Sequence, residues 1–479
     1  MHFIQKSILA IMGLVAVAIL LFGGRTASSS HEGRVVVTYW EKWTGEEAEQ
    51  MMQIVDDFNR TVGKEKGIYV QYLSMSNVNQ KTLVATAAGV PPDIAGLWEP
   101  QVAQFAAINA AEPLDELAAA HGITEDYYKP VYWEGCRYNG KLWALISTPA
   151  AVALHYNKRL MLEAAPALRR AGLDPNRPPR TLDELDRYAV ALDRFEQLPN
   201  GKKRIKIAGY LPMEPGWFLS YTAYWFGAEL FDEKTQKLNL TDPRIVRAYE
   251  WIKSYSVRLG KDSMTEFRSG FGSFNSTQNP FLARTIVMEQ QGPWMANFIE
   301  NLKPEMNRWK FSKEQERKLP REARKANYEW GVAPFPSAVK GLDDVTQAGF
   351  DTLVIPRGAK HKEEAFEFIA YVNRQDVMEK LNSLHCKNSP LSKVSEKFIR
   401  DHPNPYIDVF ERLAASPNAH GVPPIPIWPE VGEEMSVAAQ RVYLLEAEPE
   451  QVLAEAQARL QEKYDSFRER QRLRGESQS

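Results

Sequence analysis

The sequence predicts an α/β protein folded into two lobes, and three observations lead there. The chain has 479 residues, about three times a usual single-domain length, so two or three domains with ample core are expected. Short β-branched runs repeatedly precede segments of helical spacing, the pattern of parallel-sheet α/β units. Neither an internal repeat nor a low-complexity linker parts the halves, so the lobes should share several chain crossings.

At the amino end, Lys6 precedes an apolar run over residues 8–22, then Gly23, Gly24 and a Ser-rich stretch. Residues 1–28 read as a secretory leader, with Thr26 and Ser28 as small residues before the cleavage point. The run is a little shorter than the roughly 20 residues of a spanning helix, and an uncleaved anchor stays open. No Cys follows it, which argues against a lipoprotein.

The first strand is expected over residues 34–40. Thr44 and Glu47 then form a capping box for a helix whose buried face is Ala48, Met51, Val55 and Phe58. Ile68, Val70 and Tyr72 alternate as a second strand, residues 78–88 read as a helix stopped by Gly89, and residues 94–98 follow Pro91 and Pro92 as a third strand. Such sheets bind ligands beyond the carboxyl ends of their strands. Trp40, Glu41 and Trp43 stand at one such end and Trp98 and Glu99 at another.

Residues 166–180, rich in Pro and Arg, read as a loop, after which Thr181 and Glu184 cap a helix bearing Leu182, Leu185 and Leu192. Aromatic residues then crowd the chain from Trp217 through Trp225 and Phe274 to Trp294, more than one helix face needs. Residues 310–325 are charge-dense and read as a solvated surface segment. A strand over 353–355, a helix over 363–372 and a final amphipathic helix over 451–467 complete the expected elements.

Lys plus Arg number 59 against 61 Asp plus Glu, so bulk charge favours neither nucleic acid nor an anionic membrane. Cys136 and Cys386 are the only cysteines; there is no disulfide framework, and both one bridge and two separate thiols stay open. No metal spacing appears among the eight His residues, no phosphate-cradling glycine loop is present, and no Gly-x-Ser-x-Gly elbow occurs. No cofactor is expected.

Four passages carry a family resemblance: Ala87-Ala-Gly-Val-Pro-Pro-Asp-Ile94 with Glu112-Pro-Leu-Asp115; Tyr138-Asn-Gly-Lys-Leu-Trp143 continuing to Leu154-His-Tyr-Asn-Lys158; Met288-Glu-Gln-Gln-Gly-Pro-Trp294; and the strand and helix over 349–372. In this order they resemble the family 1 extracellular solute-binding proteins, the carbohydrate-capturing subunits of bacterial ABC importers. The resemblance implies a type II periplasmic-binding-protein clamshell: lobe 1 over 34–148 and 349–392, lobe 2 over 149–348 and 393–470, a polar tail over 471–479, and hinge strands between the lobes. It also implies a permease partner and a separate ATPase; with the leader, the expected state is a monomer outside the cytoplasm. Gly349-Phe-Asp351 replaces the family's more frequent double glycine.

A sugar offers apolar C–H faces and a rim of hydroxyls, so its pocket needs flat rings and fixed polar groups. The expected ligand contacts are Trp40, Glu41, Trp43, Trp98, Glu99, Trp217, Trp225, Gln291, Trp294, Phe350, Asp351 and Trp428, with Asn275 as a weaker candidate. Glu99 leads the carboxylates because it directly follows the third strand. Two other readings stay open: a sugar-sensing protein for a membrane receptor, and a glycosidase using Glu41 and Glu99, whose carboxyls would then stand about 5 to 9.5 Å apart.

Overall fold

The computed structural model describes residues 31, 33–199, 201–312, 314–315 and 318–476, with 474–476 as backbone alone. The expected leader and the last three residues lie outside the described range. The strands run β1 (Val35–Glu41), β2 (Ile68–Ser74), β3 (Ile94–Trp98), β4 (Arg137–Tyr138), β5 (Lys141–Leu142), β6 (Leu145–Ala151), β7 (Ala153–Asn157), β8 (Arg194–Gln197), β9 (Lys203–Tyr210), β10 (Phe231–Asp232), β11 (Lys237–Leu238), β12 (Ile286–Gln291), β13 (Trp330–Ala333), β14 (Thr346–Val354) and β15 (Ala419–His420).

Two sheets organise the molecule. The first has the order β15-β14-β3-β1-β2, with β6 also paired to β14, and the second the order β13-β7-β12-β9-β8. β1 pairs parallel with β2 and β3, as the strand–helix alternation predicts, because a helix between neighbouring strands returns the chain to the same edge. β14 enters antiparallel to β3.

The chain passes from the first sheet to the second where β6 gives way to β7 at Val152, and returns between β13 and β14. Val152 is tied to the return strand: its N–H donates to Thr346 Oγ1 at 2.8 Å and to Gln347 O at 3.1 Å, and its carbonyl accepts from Thr346 Oγ1 at 2.9 Å. The two crossings are thus stitched together at one point.

Helices cover the sheets through the faces their spacing predicts. Gly45–Arg60 buries Ala48, Met51, Val55 and Phe58, together with Ile54, and Lys362–Val372 buries Ala365, Phe366, Phe368 and Ile369. Three expectations need correction. Residues 166–170, expected as loop, belong to the helix Ala165–Arg170 with Pro at its start, where the missing N–H costs nothing. The strand expected at 353–355 is nine residues long, Thr346–Val354, because pairing with two neighbours extends it through polar residues. The last helix runs Pro449–Glu476, beyond residue 467. Its Gln457 and Gln461 side chains bond the backbone of Leu240 and Leu238, and Gln471 reaches Ala107 O on the first-sheet side. Cys136 and Cys386 are separate buried thiols.

Candidate functional site

The site grows from the carboxyl ends of β1 and β3 and from the middle of β14. In the register, Asp351 lies opposite Trp98 on one side and Thr148 on the other, so all three share one face of the sheet. Glu41 joins them: a Cβ built on Gly96 would stand 1.9 Å from Glu41 Oε2, which leaves room only for glycine between the carboxylate and β3. Side chains alternate along a strand. Gly96 and Trp98 therefore face Glu41, while Glu99 and Phe350 turn to the opposite face.

Two lysines bind this face into an ionic network. Lys42 Nζ lies 3.1 Å from Glu41 Oε1, 3.0 Å from Asp351 Oδ1 and 3.1 Å from Leu97 O. Lys387 Nζ donates to Thr148 Oγ1 at 2.9 Å and to Asp351 Oδ2 at 3.2 Å, and stands 3.7 Å from Glu47 Oε1. Burial opposes the charge on Lys42, yet Asp351 and Glu41 hold its ammonium above the usual value. Burial likewise opposes charge on Asp351, but Lys42 and Lys387 hold that carboxyl well below the usual carboxylate range. Glu41 is fully buried and also accepts from Tyr39 Oη at 2.5 Å and Lys42 N at 2.7 Å.

Aromatic rings surround the network. The ring of Trp43 has Lys42 Nζ 5.2 Å and Lys387 Nζ 5.5 Å from its centroid, and Lys42 also lies 5.4 Å from the Trp98 ring. Lys387 reaches across to the second-sheet side, 5.9 Å from Trp294. These are cation–π distances. Trp294 leads to Trp217 at 6.4 Å, and Trp217 to Phe274 at 4.6 Å. Gly292 is required here, since a Cβ would fall 2.2 Å from the Trp294 ring. Trp98 and Trp217 keep 48% and 49% of their surface exposed, which is enough to offer a ring face to a ligand. A cavity of about 330 Å³ opens beside Trp294, lined also by Glu47 and Asn275.

The structure thus brings together Glu41, Trp43, Trp98, Trp217, Trp294 and Asp351, with Asn275 at the rim. It places the remaining candidates elsewhere. Glu99 is buried and accepts from Val422 N at 2.8 Å, next to Gly135 and Gly421; burial pushes its carboxyl up to about 8, against that N–H bond. Phe350 packs edge-on against Tyr132. Trp225 is fully buried and donates to Val345 O at 3.1 Å, and Trp428 is buried in a stack with Tyr221. Gln291 is buried, its Oε1 accepting from Gly292 N. Trp40, half-buried, packs against the core on the face of β1 opposite Glu41. Lys42, Lys387 and Thr148 escaped the sequence reading, and Glu47 entered it only as a helix-capping residue. Only Lys42, adjacent to Glu41, carried a signal; Lys387 comes from the loop after the helix Gln375–Leu384, where there is no motif.

A family model described as "Bacterial extracellular solute-binding protein" matches residues 53–385. The maltotriose-binding protein of Pyrococcus abyssi (strain GE5 / Orsay) is 21% identical over 345 residues, covering 71% of this chain and 62% of that protein. A relative of shorter reach, the sn-glycerol-3-phosphate-binding periplasmic protein of Pectobacterium atrosepticum, is 28% identical over 189 residues, covering 37% of this chain and 38% of its own. Among solved structures, CpMnBP1 with mannotriose bound superposes with a TM-score of 0.71 at 24% identity, over 89% of this chain and 99% of that one. The likeness fixes the fold as the two-lobed type II clamshell. The chain belongs to the bacterial extracellular solute-binding protein family.

Proposed function

We propose that this protein is an extracytoplasmic capture subunit that closes its two lobes around an oligosaccharide and delivers it to an ABC-type permease. The observation that carries this reading is the pair of half-exposed rings, Trp98 and Trp217, set on either side of the buried Lys42–Asp351–Lys387 network. Rings that keep half their surface in water without need of core packing suit stacking on sugar C–H faces. The names of its relatives support the class, since they include binders of maltotriose and mannotriose.

Closure follows from differential affinity: a ligand touching rings of both lobes favours the closed form by the contacts absent in the open one. The lobes turn about the stitched crossing at Val152. The chain acts as a binder and not a glycosidase, because Glu41 is engaged by Tyr39 and Lys42 and Glu99 faces away from it. Titration with mono- to tetrasaccharides, followed by intrinsic Trp fluorescence and by assay of the sugar for breakdown, tests the reading. A saturable change with intact sugar is expected; no response to any sugar overturns it, and breakdown of the sugar makes the protein an enzyme.

A further inference from the structure

We propose that the cleft selects uncharged sugars and rejects sugar phosphates and uronates, because both of its lysines are already paired with carboxylates of the protein. The inference rests on the sugar-binding reading above and sharpens it. The family includes binders of a neutral trisaccharide and of a phosphate ester, so membership alone leaves the choice open.

An ammonium has three N–H donors. Those of Lys42 meet Glu41, Asp351 and Leu97 O, all within 3.1 Å. Those of Lys387 meet Thr148 and Asp351, with Glu47 at 3.7 Å. Both lysine side chains are only 6% exposed. Glu41 and Asp351 thus already match the two ammoniums in charge, and Glu47, whose carboxyl is pushed up by burial, stands beside Lys387 as a third acid. His385, which packs on Trp43 at 4.8 Å, adds no charge: burial and the neighbouring Lys387 hold its pKa well below the usual value. On the second lobe, Arg268 beside the Trp217 loop is paired with Glu214 at 3.2 Å.

A phosphate or carboxylate entering this site would meet two ammoniums that are already paired with carboxylates. To gain one it would have to break a buried ion pair and leave a carboxylate unpaired, which is far less favourable than stacking a neutral ring on Trp98 or Trp217. Asp351 is the centre of this selection, since its carboxylate pairs with both lysines. It is a specificity-determining residue by position, independent of any bond it makes to sugar.

The test is a competition panel on the exported protein. Neutral maltose to maltotetraose and mannobiose to mannotetraose are set against the anions glucose 1-phosphate, sn-glycerol 3-phosphate and oligogalacturonates. Neutral sugars should bind, every charged probe should bind at least about a hundredfold more weakly, and affinity should shift less than about twofold between low and high salt. Asp351→Asn, which frees both lysines, should gain about tenfold in affinity for the phosphate esters. A charged probe binding as tightly as the best neutral sugar overturns the selection rule while leaving sugar capture intact. A folded Asp351→Asn protein without that gain removes Asp351 from the role. Silence from the whole panel overturns the sugar reading, and the selection rule falls with it. Should the variant fail to fold, the wild-type panel still decides.

Discussion

Trp98 and Glu99 are adjacent in sequence and differ in everything the fold can add. Trp98 holds a ring half in solvent over Lys42, while Glu99 is sealed against Val422. The pKa of Glu99, raised to about 8 by burial, compares with roughly 4.3 for a carboxyl in the unfolded chain. Between those values the folded state holds a proton that the unfolded state has released, so this residue lowers stability as pH rises through the window. Glu99→Gln keeps an acceptor for Val422 N–H and removes the titration. Relative to wild type it should gain up to about 1.4 kcal/mol per pH unit from pH 5 to 8 in urea denaturation; a difference that stays flat with pH would show Glu99 charged in the fold. The exposed rings make the opposite kind of prediction. Trp98→Ala and Trp217→Ala should each weaken sugar binding by about 10- to 100-fold, roughly 1.4 to 2.8 kcal/mol, with melting temperatures little changed. Trp225→Ala, removing a buried core ring, should instead cost about 3 to 5 kcal/mol of stability.

At the scale of elements, two sequence signals of the same form part company. Thr181 caps its helix, its Oγ1 accepting from Glu184 N at 3.1 Å. Thr44 makes no side-chain cap bond, and Glu47 faces Lys387. A capping box is legible from spacing, but the ionic demand of a cleft can draw its acid away, and that demand is set by residues some 340 positions off in the chain. Thr181→Ala should therefore cost about 1 kcal/mol, and Thr44→Ala markedly less, as paired denaturation curves would reveal. The strands behave differently. β1 and β3 lie within a residue of where β-branching and alternation put them, because local pattern and sheet burial agree. β14 does not, since Thr346, Gln347 and Gly349 have no strand signature and are held by their neighbours β6 and β15. The face each candidate shows depends on that register: a slip of one residue would exchange Asp351 for Phe350 in the cleft.

Across the whole molecule, buried histidines set the response to acid. His155 and His402 are held at about 3, His420 at about 4 and His385 well below its usual value, in each case chiefly by burial. A histidine depressed in the folded state adds stability that is present above its unfolded pKa of about 6.5 and is lost as pH falls. The protein should weaken by up to about 1.4 kcal/mol per pH unit for each of these residues below that point. Chemical denaturation at stepped pH from 7 to 4.5 checks this, and a flat profile would mean that the rings are already charged in the fold. Lobe closure is read at the same scale. Saturating oligosaccharide should reduce the radius of gyration in solution scattering, while a sugar that binds without compaction would confine the ligand to one lobe.

The amino-acid sequence by itself determined the class, the alternation of strand and helix around the first sheet and the family, because hydrophobic period, turn residues and motif order are local properties of a chain; it also singled out Trp43, Trp98, Trp217 and Trp294, which the fold gathers around one ionic network. It could not separate cleft tryptophans from core ones: Trp225 and Trp428 carry the same side chain as Trp217, and burial is decided by what packs against them. Nor could it show that Glu99 turns inward, which follows from β3 ending one residue earlier beside β14. The lysines belong wholly to the tertiary structure. Lys42 and Lys387 meet at Asp351 from distant parts of the chain, and the charge balance of the cleft exists only once those segments are brought within a few ångströms, where Coulombic interaction outweighs the cost of burial.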